Sequence, residues 1–71
     1  MKPDTANLLR LLRQRGEQGV TPLDAWRQLG SYRCGARVYE LRREGYAVTT
    51  TLEQGPDGSR YARYRLVEDA A

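Results

Sequence analysis

Arginine is the residue with which this chain can do chemistry. Of its twelve basic residues eleven are arginine, Lys2 being the one lysine; nine are acidic and the formal net charge is +3. The planar guanidinium suits bidentate contact with a phosphate or with a guanine edge, which favours a nucleic-acid partner. A base composition rich in arginine and alanine codons accounts for the same excess, so charge alone leaves both readings open. Other chemistries have little to stand on. There is no histidine, and the single cysteine, Cys34, allows neither an internal disulfide nor a Cys/His metal cluster. No glycine-rich phosphate loop is present, and no serine or cysteine lies beside a plausible base. The carboxylates are scattered over surfaces and helix starts. An enzyme, a metal and a cofactor are therefore not expected.

The element that must position the arginines runs from Ser31 to Gly45, SYRCGARVYELRREG. Read as a helix, it places Cys34, Val38 and Leu41 on one stripe and leaves Tyr32, Arg33, Ala36, Arg37, Glu40, Arg43 and Glu44 outside. Ser31 suits the N-cap, and Gly45 suits the C′ position with positive φ. Before it, Thr21, Pro22 and Asp24 form a capping-box-like start to a short helix over Pro22 to Leu29, which Gly30 ends. In that helix Trp26, with Leu23, Ala25 and Leu29, is expected to close the core. A first helix, capped by Asp4 or Thr5 and stopped at Gly16, offers Leu8, Leu11 and Leu12 to the core with Leu9 at the margin, and turns Arg10, Arg13 and Arg15 to water. Val20 has room only for a bridge-like strand.

Past Gly45 the period changes to two. Tyr46, Val48, Thr50 and Leu52 alternate with Ala47, Thr49 and Thr51 as a strand, and the turn formers Gln54 to Ser59 follow. A second strand runs from about Arg60 to Val67, with Ala62, Tyr64 and Leu66 on the face toward the helices and Tyr61, Arg63 and Arg65 on an outward face. Tyr39 and Arg42 are placed to pack against this hairpin. A short helix, a glycine-bearing turn and a longer helix with an apolar inner stripe outline a helix-turn-helix, to which the hairpin adds a wing.

The run TPLDAWRQLGSYRCGARVYELRREGYAVTT, with GSRYARYRL downstream, resembles the small winged helix-turn-helix domains of phages and prophages. Those carry a T-P-L-E-A-like helix start, an A-R-I-Y-D-L-R-like third helix, a G-Y step into the wing and a closing R-Y-R-L strand. The likeness covers roughly Thr21 to Leu66. It implies an α+β fold of three helices and a C-terminal two-stranded wing, and DNA binding with the third helix in the major groove. On that implication Tyr32, Arg33, Ala36 and Arg37 are candidates for base contacts, with Arg33 or Arg37 able to hold guanine by O6 and N7. Ser31, Arg43, Arg60 and Arg63 are candidates for backbone contacts. Surface ion pairing among Arg37, Glu40 and Glu44 at i, i+3 or i, i+4 spacing is the plain alternative. The pattern breaks at Cys34-Gly35, where Leu-Ala is more usual. Glycine within a helix costs about 1 kcal/mol against alanine, so either the helix starts later or Gly35 admits a close backbone approach. The short loop Gly55 to Gly58, with Asp57 at its tip, directs the sides of the wing, and not its tip, toward DNA.

A length of 71 residues suits one domain over 1–71, with an ordered core at about 5–67. No apolar run approaches the roughly 18 residues of a membrane span, and the start MKPDTAN lacks a signal peptide's apolar stretch, so a cytoplasmic protein is expected. The partner that the resemblance implies is double-stranded DNA, bound by a transcriptional regulator or by an excisionase-like factor. A host protein is the competing partner, because winged helices also serve as docking modules such as an anti-CRISPR or antirepressor, and five tyrosines suit such an interface. A homodimer on DNA would offset the modest charge, although no coiled-coil heptads point to one.

Overall fold

A computed structural model describes residues 1–30 and 33–67. Three helices precede an antiparallel hairpin: α1 (Pro3–Arg15), a single 3-10 turn (Gly16–Gln18), α2 (Pro22–Leu29), α3 (Cys34–Arg43), β1 (Ala47–Gln54) and β2 (Arg60–Val67). This is the α+β arrangement that the resemblance implies.

The apolar spacing of α1 drives its packing. Leu8, Leu9, Leu11 and Leu12 are all buried, and they meet Val20, Ala25, Cys34, Val38, Leu41 and Val48 in one cluster. Leu9 is thus a full member of the core. The helix begins earlier than expected: Pro3 occupies its first turn and Lys2 is the N-cap, with no side-chain cap bond. Neither Asp4 nor Thr5 caps it. Thr5 is fully buried, and its hydroxyl donates instead to Glu40 of α3. Arg15, expected in water, donates to the Gly19 carbonyl at 3.1 Å and pairs with Asp24 at 3.2 Å.

The start of α2 is as its sequence reads. Thr21 Oγ1 accepts from the Asp24 N–H, and the Asp24 carboxylate accepts from the Thr21 N–H, each at 3.1 Å. Burial pushes the Asp24 carboxyl up, but the Thr21 bonds and the Arg15 charge outweigh it and hold the group below its ordinary value. Gly30 closes the helix in the left-handed conformation, its N–H returning to the Trp26 carbonyl. Trp26 and Leu23, however, do not close the core. They are 41% and 53% exposed, and Ala25 alone is the buried residue of α2. With only eight residues, α2 presents one narrow stripe inward, and a small residue lets it lie close to α1 and α3.

The hairpin register pairs Ala47 with Val67 through to Gln54 with Arg60. Val20 joins on the far side of β2, exchanging two 2.8 Å bonds with Tyr64. Tyr64 and Leu66 pack on the helical core, as the alternation predicts. The opposite face is not left open. Arg63 donates to Glu53 at 2.9 Å and to the Gln18 carbonyl at 2.6 Å, while Arg65 donates to the Glu17 carbonyl at 2.7 Å. These two arginines clasp the 3-10 turn through its Glu17 and Gln18 carbonyls, while the Gly16 carbonyl accepts from the Gly19 N–H. Gly19 makes the clasp possible: an added Cβ there would lie 2.5 Å from the Tyr64 carbonyl oxygen.

Candidate nucleic-acid interface

The inner stripe of α3 is the one its spacing predicts, with Cys34, Val38 and Leu41 buried. Burial pushes the Cys34 thiol up to about 11, which suits a core residue. The first turn differs from expectation. The N-cap is Arg33, with φ −105° and ψ 49° and no side-chain cap bond, so the helix starts three residues after Ser31. The N-cap role expected of Ser31 therefore falls to Arg33. Gly35 becomes the second helical residue. An added Cβ there would meet only the Tyr64 hydroxyl, at 3.7 Å, so no backbone approaches it closely. Ser31 and Tyr32, named as backbone and base candidates, lie outside the described residues.

At roughly 100° per residue, Ala36, Tyr39 and Arg43 fall diametrically opposite the Cys34-Val38-Leu41 stripe. All three are exposed, Tyr39 at 61%. The Arg43 guanidinium lies over the Tyr39 ring, 5.9 Å from its centroid. This stripe itself carries no carboxylate, but the open groove of about 580 Å³ that it borders is lined by Glu40 and Glu44 as well as by Met1 and Lys2. Arg33 stands exposed at the start of the same helix. Of the base candidates, Arg33 and Ala36 are thus on the surface.

Arg37 sits otherwise. It precedes Val38 by one residue and follows Cys34 by three, which turns it only about 60° from the buried stripe and toward α1. Its side chain is 16% exposed, with 2.7 Å to Glu40 and 3.8 Å to Asp4. Glu40 gathers Thr5, Arg37 and Lys2 (3.7 Å), and these partners, the Thr5 bond foremost, hold its carboxyl below the ordinary glutamate value. Of the surface ion pairs given as the plain alternative, Arg37–Glu40 is therefore present, reinforced by Asp4 and Thr5 of α1.

The backbone candidates divide in the same way. Arg43 and Arg60 are exposed and make no ion pair among the described residues. Arg63 is held by Glu53 and Gln18, and its bond to Glu53 draws that carboxyl below its ordinary value. Arg42 lies on the wing side of α3 and donates to the Val48 carbonyl at 3.0 and 2.7 Å and to Thr50 Oγ1 at 2.9 Å, the packing anticipated for it. Tyr39 is on the open face and not against the wing. Its place was legible, since Ala36, Tyr39 and Arg43 follow the i, i+3, i+7 spacing of a single stripe. Among the described residues no cluster of potential metal ligands occurs, and no helix is long and apolar enough to cross a membrane.

In comparison with known proteins, the family model described as a winged helix-turn-helix domain matches residues 4–69. No curated protein and no solved structure matches the chain.

Proposed function

The chain belongs to the winged helix-turn-helix family, and from that membership and the outer stripe of α3 we propose that it is a transcriptional regulator that binds double-stranded DNA with α3 in the major groove. The observation that carries this reading is the sorting of the arginines. Arg15, Arg37, Arg42, Arg63 and Arg65 hold the fold together through carboxylates and carbonyls, whereas Arg10, Arg27, Arg43 and Arg60 are exposed, the last two on α3 and at the base of the wing. In this reading Arg33, Ala36 and Tyr32 meet base edges at the start of α3, joined by Tyr39 one turn on. Ser31, Arg43 and Arg60 meet phosphates. Arg37 orients α3 against α1, and Arg63 holds the wing. Phosphate contacts set register while the base contacts specify.

The test is selection of a site from random duplex DNA, followed by titration of variants on that site. Arg33→Ala relaxes discrimination at its base pair by about 1–3 kcal/mol, whereas Arg43→Ala and Arg60→Ala weaken all sequences alike and each lower the salt slope by about one. Absence of binding even at about 50 mM salt sinks the proposal, because the phosphate term is strongest there. A second reading, a protein-docking module, draws on Leu23 and Trp26, which leave an apolar patch on the outer face of α2. That reading gains if DNA binding is absent while Trp26 fluorescence responds to a protein partner.

A further inference from the structure

The outer half of β1 is an unprotected sheet edge, and from it we infer that two copies of this chain pair through that edge, Thr50 to Gln54 antiparallel to the same segment of the other copy. The phase of the hairpin fixes which groups are available. Tyr64 gives its N–H and C=O to Val20, away from β1, so Thr50 opposite it belongs to a non-hydrogen-bonded pair. By alternation Val48, Thr50, Leu52 and Gln54 turn their N–H and C=O groups to the open edge. Arg42 covers the inner part of that edge, bonding the Val48 carbonyl and the Thr50 hydroxyl. Beyond it, among the described residues, nothing bonds the outward main chain of Leu52 and Gln54 or of Thr50.

Soluble proteins normally defend such an edge with lysine, proline, a bulge or an inward charge. β1, AVTTTLEQ, has none of these devices. Its one charge, Glu53, lies on the opposite face and is neutralised by Arg63 and Arg65. Leu52, on the other face, is 71% exposed, more than any other large apolar side chain described. The occupant that fits is a second copy, because the segment complements itself. A two-fold axis through Leu52 sets Leu52 against the partner's Leu52 and Thr50 against the partner's Gln54, and each such pair exchanges two hydrogen bonds. Copies of net charge +3 repel elsewhere, and this neutral strip is where they can approach. The pairing closes on itself, so it stops at two.

Sedimentation equilibrium of the full chain at about 0.15 M salt, from micromolar up to about 1 mM, reads the result. The wild type passes from one to two chain masses. Leu52→Lys and Leu52→Glu each raise the dissociation constant at least about tenfold, since like charges then face each other across the axis. An equimolar mixture of the two variants recovers the dimer. Leu52 is exposed, so unchanged thermal melts of both variants show that the fold is intact. A wild type that stays monomeric throughout overturns the inference, as does a Leu52→Lys variant that dimerises like the wild type or a mixture that fails to recover. DNA binding plays no part in the readout, so its presence or absence leaves this test intact.

Discussion

Replacing Gly19 with alanine should do more harm than any other glycine substitution in the chain. Gly19 has φ +70° and ψ −170°, a backbone region essentially restricted to glycine, where a side chain costs roughly 1–3 kcal/mol. The added Cβ also meets the Tyr64 carbonyl oxygen at 2.5 Å and the Cγ atoms of Arg65 and Arg63 at 2.9 and 3.0 Å. That oxygen accepts the Val20 N–H at 2.8 Å, and Tyr64 N–H donates back at 2.8 Å. Moving it weakens two hydrogen bonds, each worth about 1 kcal/mol. Strain and lost bonds together give about 3–5 kcal/mol, a large share of the 5–15 kcal/mol typical of a folded domain. Gly16→Ala is the control. Gly16 also has positive φ, +54°, but nothing lies within 4 Å of its added Cβ, so strain acts alone. Urea unfolding followed by far-UV circular dichroism should place Gly19→Ala at least about 2 kcal/mol below Gly16→Ala, a separation of roughly 8–16 °C in Tm for a domain of this size. Equal costs for the two variants would refute the reasoning, because the contact with β2 would then contribute nothing.

Gly35→Ala acts in the opposite direction: its Cβ finds only the Tyr64 hydroxyl at 3.7 Å, and removing glycine from α3 should stabilise the protein by about 0.5–1 kcal/mol in the same urea assay. Acid should destabilise the fold through Glu40, Glu53 and Asp24. Their folded-state pKa values lie below the ordinary 4.5, 4.5 and 3.8, so the stability they contribute is fully present above those values and is lost as pH falls through the depressed ones. A pH series of thermal melts should be flat above about pH 5 and fall below it, and Glu40→Gln should flatten the decline. Cys34, buried and with its thiol pushed up to about 11, should react with a thiol reagent at pH 8 only as fast as the protein opens, and at the free-thiol rate once denatured.

Where a property depended on neighbours in the chain, it was readable before any coordinates. The inner stripe of α3, the Thr21-Asp24 capping box, the end of α2 at Gly30, the two-residue period of β1 and β2 and the bridge at Val20 all follow from spacing, backbone preference and local hydrogen bonding. The resemblance of Thr21 to Leu66 to a known family added the order in which these pieces assemble. Trp26 was misplaced because apolar character says that a side chain gains by burial, not that an eight-residue helix has an inward position for it. The start of α3 was placed too early: its N-cap is Arg33, which has no side-chain cap bond to announce it in the sequence.

Only tertiary structure decided what the arginines do. Eleven identical guanidinium groups read alike along a sequence, and their division between clasping the fold and facing solvent rests on partners far away in the chain: Arg63 on Gln18, Arg65 on Glu17, Arg37 on Asp4. A guanidinium bonds whichever acceptor the folded chain brings within reach, and a carbonyl of the 3-10 turn, orphaned by its geometry, is such an acceptor. The sequence by itself determined that this is a three-helix domain with a wing and a basic face. Which of its charges remain on that face was settled when α1, the turn at Gly19 and β2 came together.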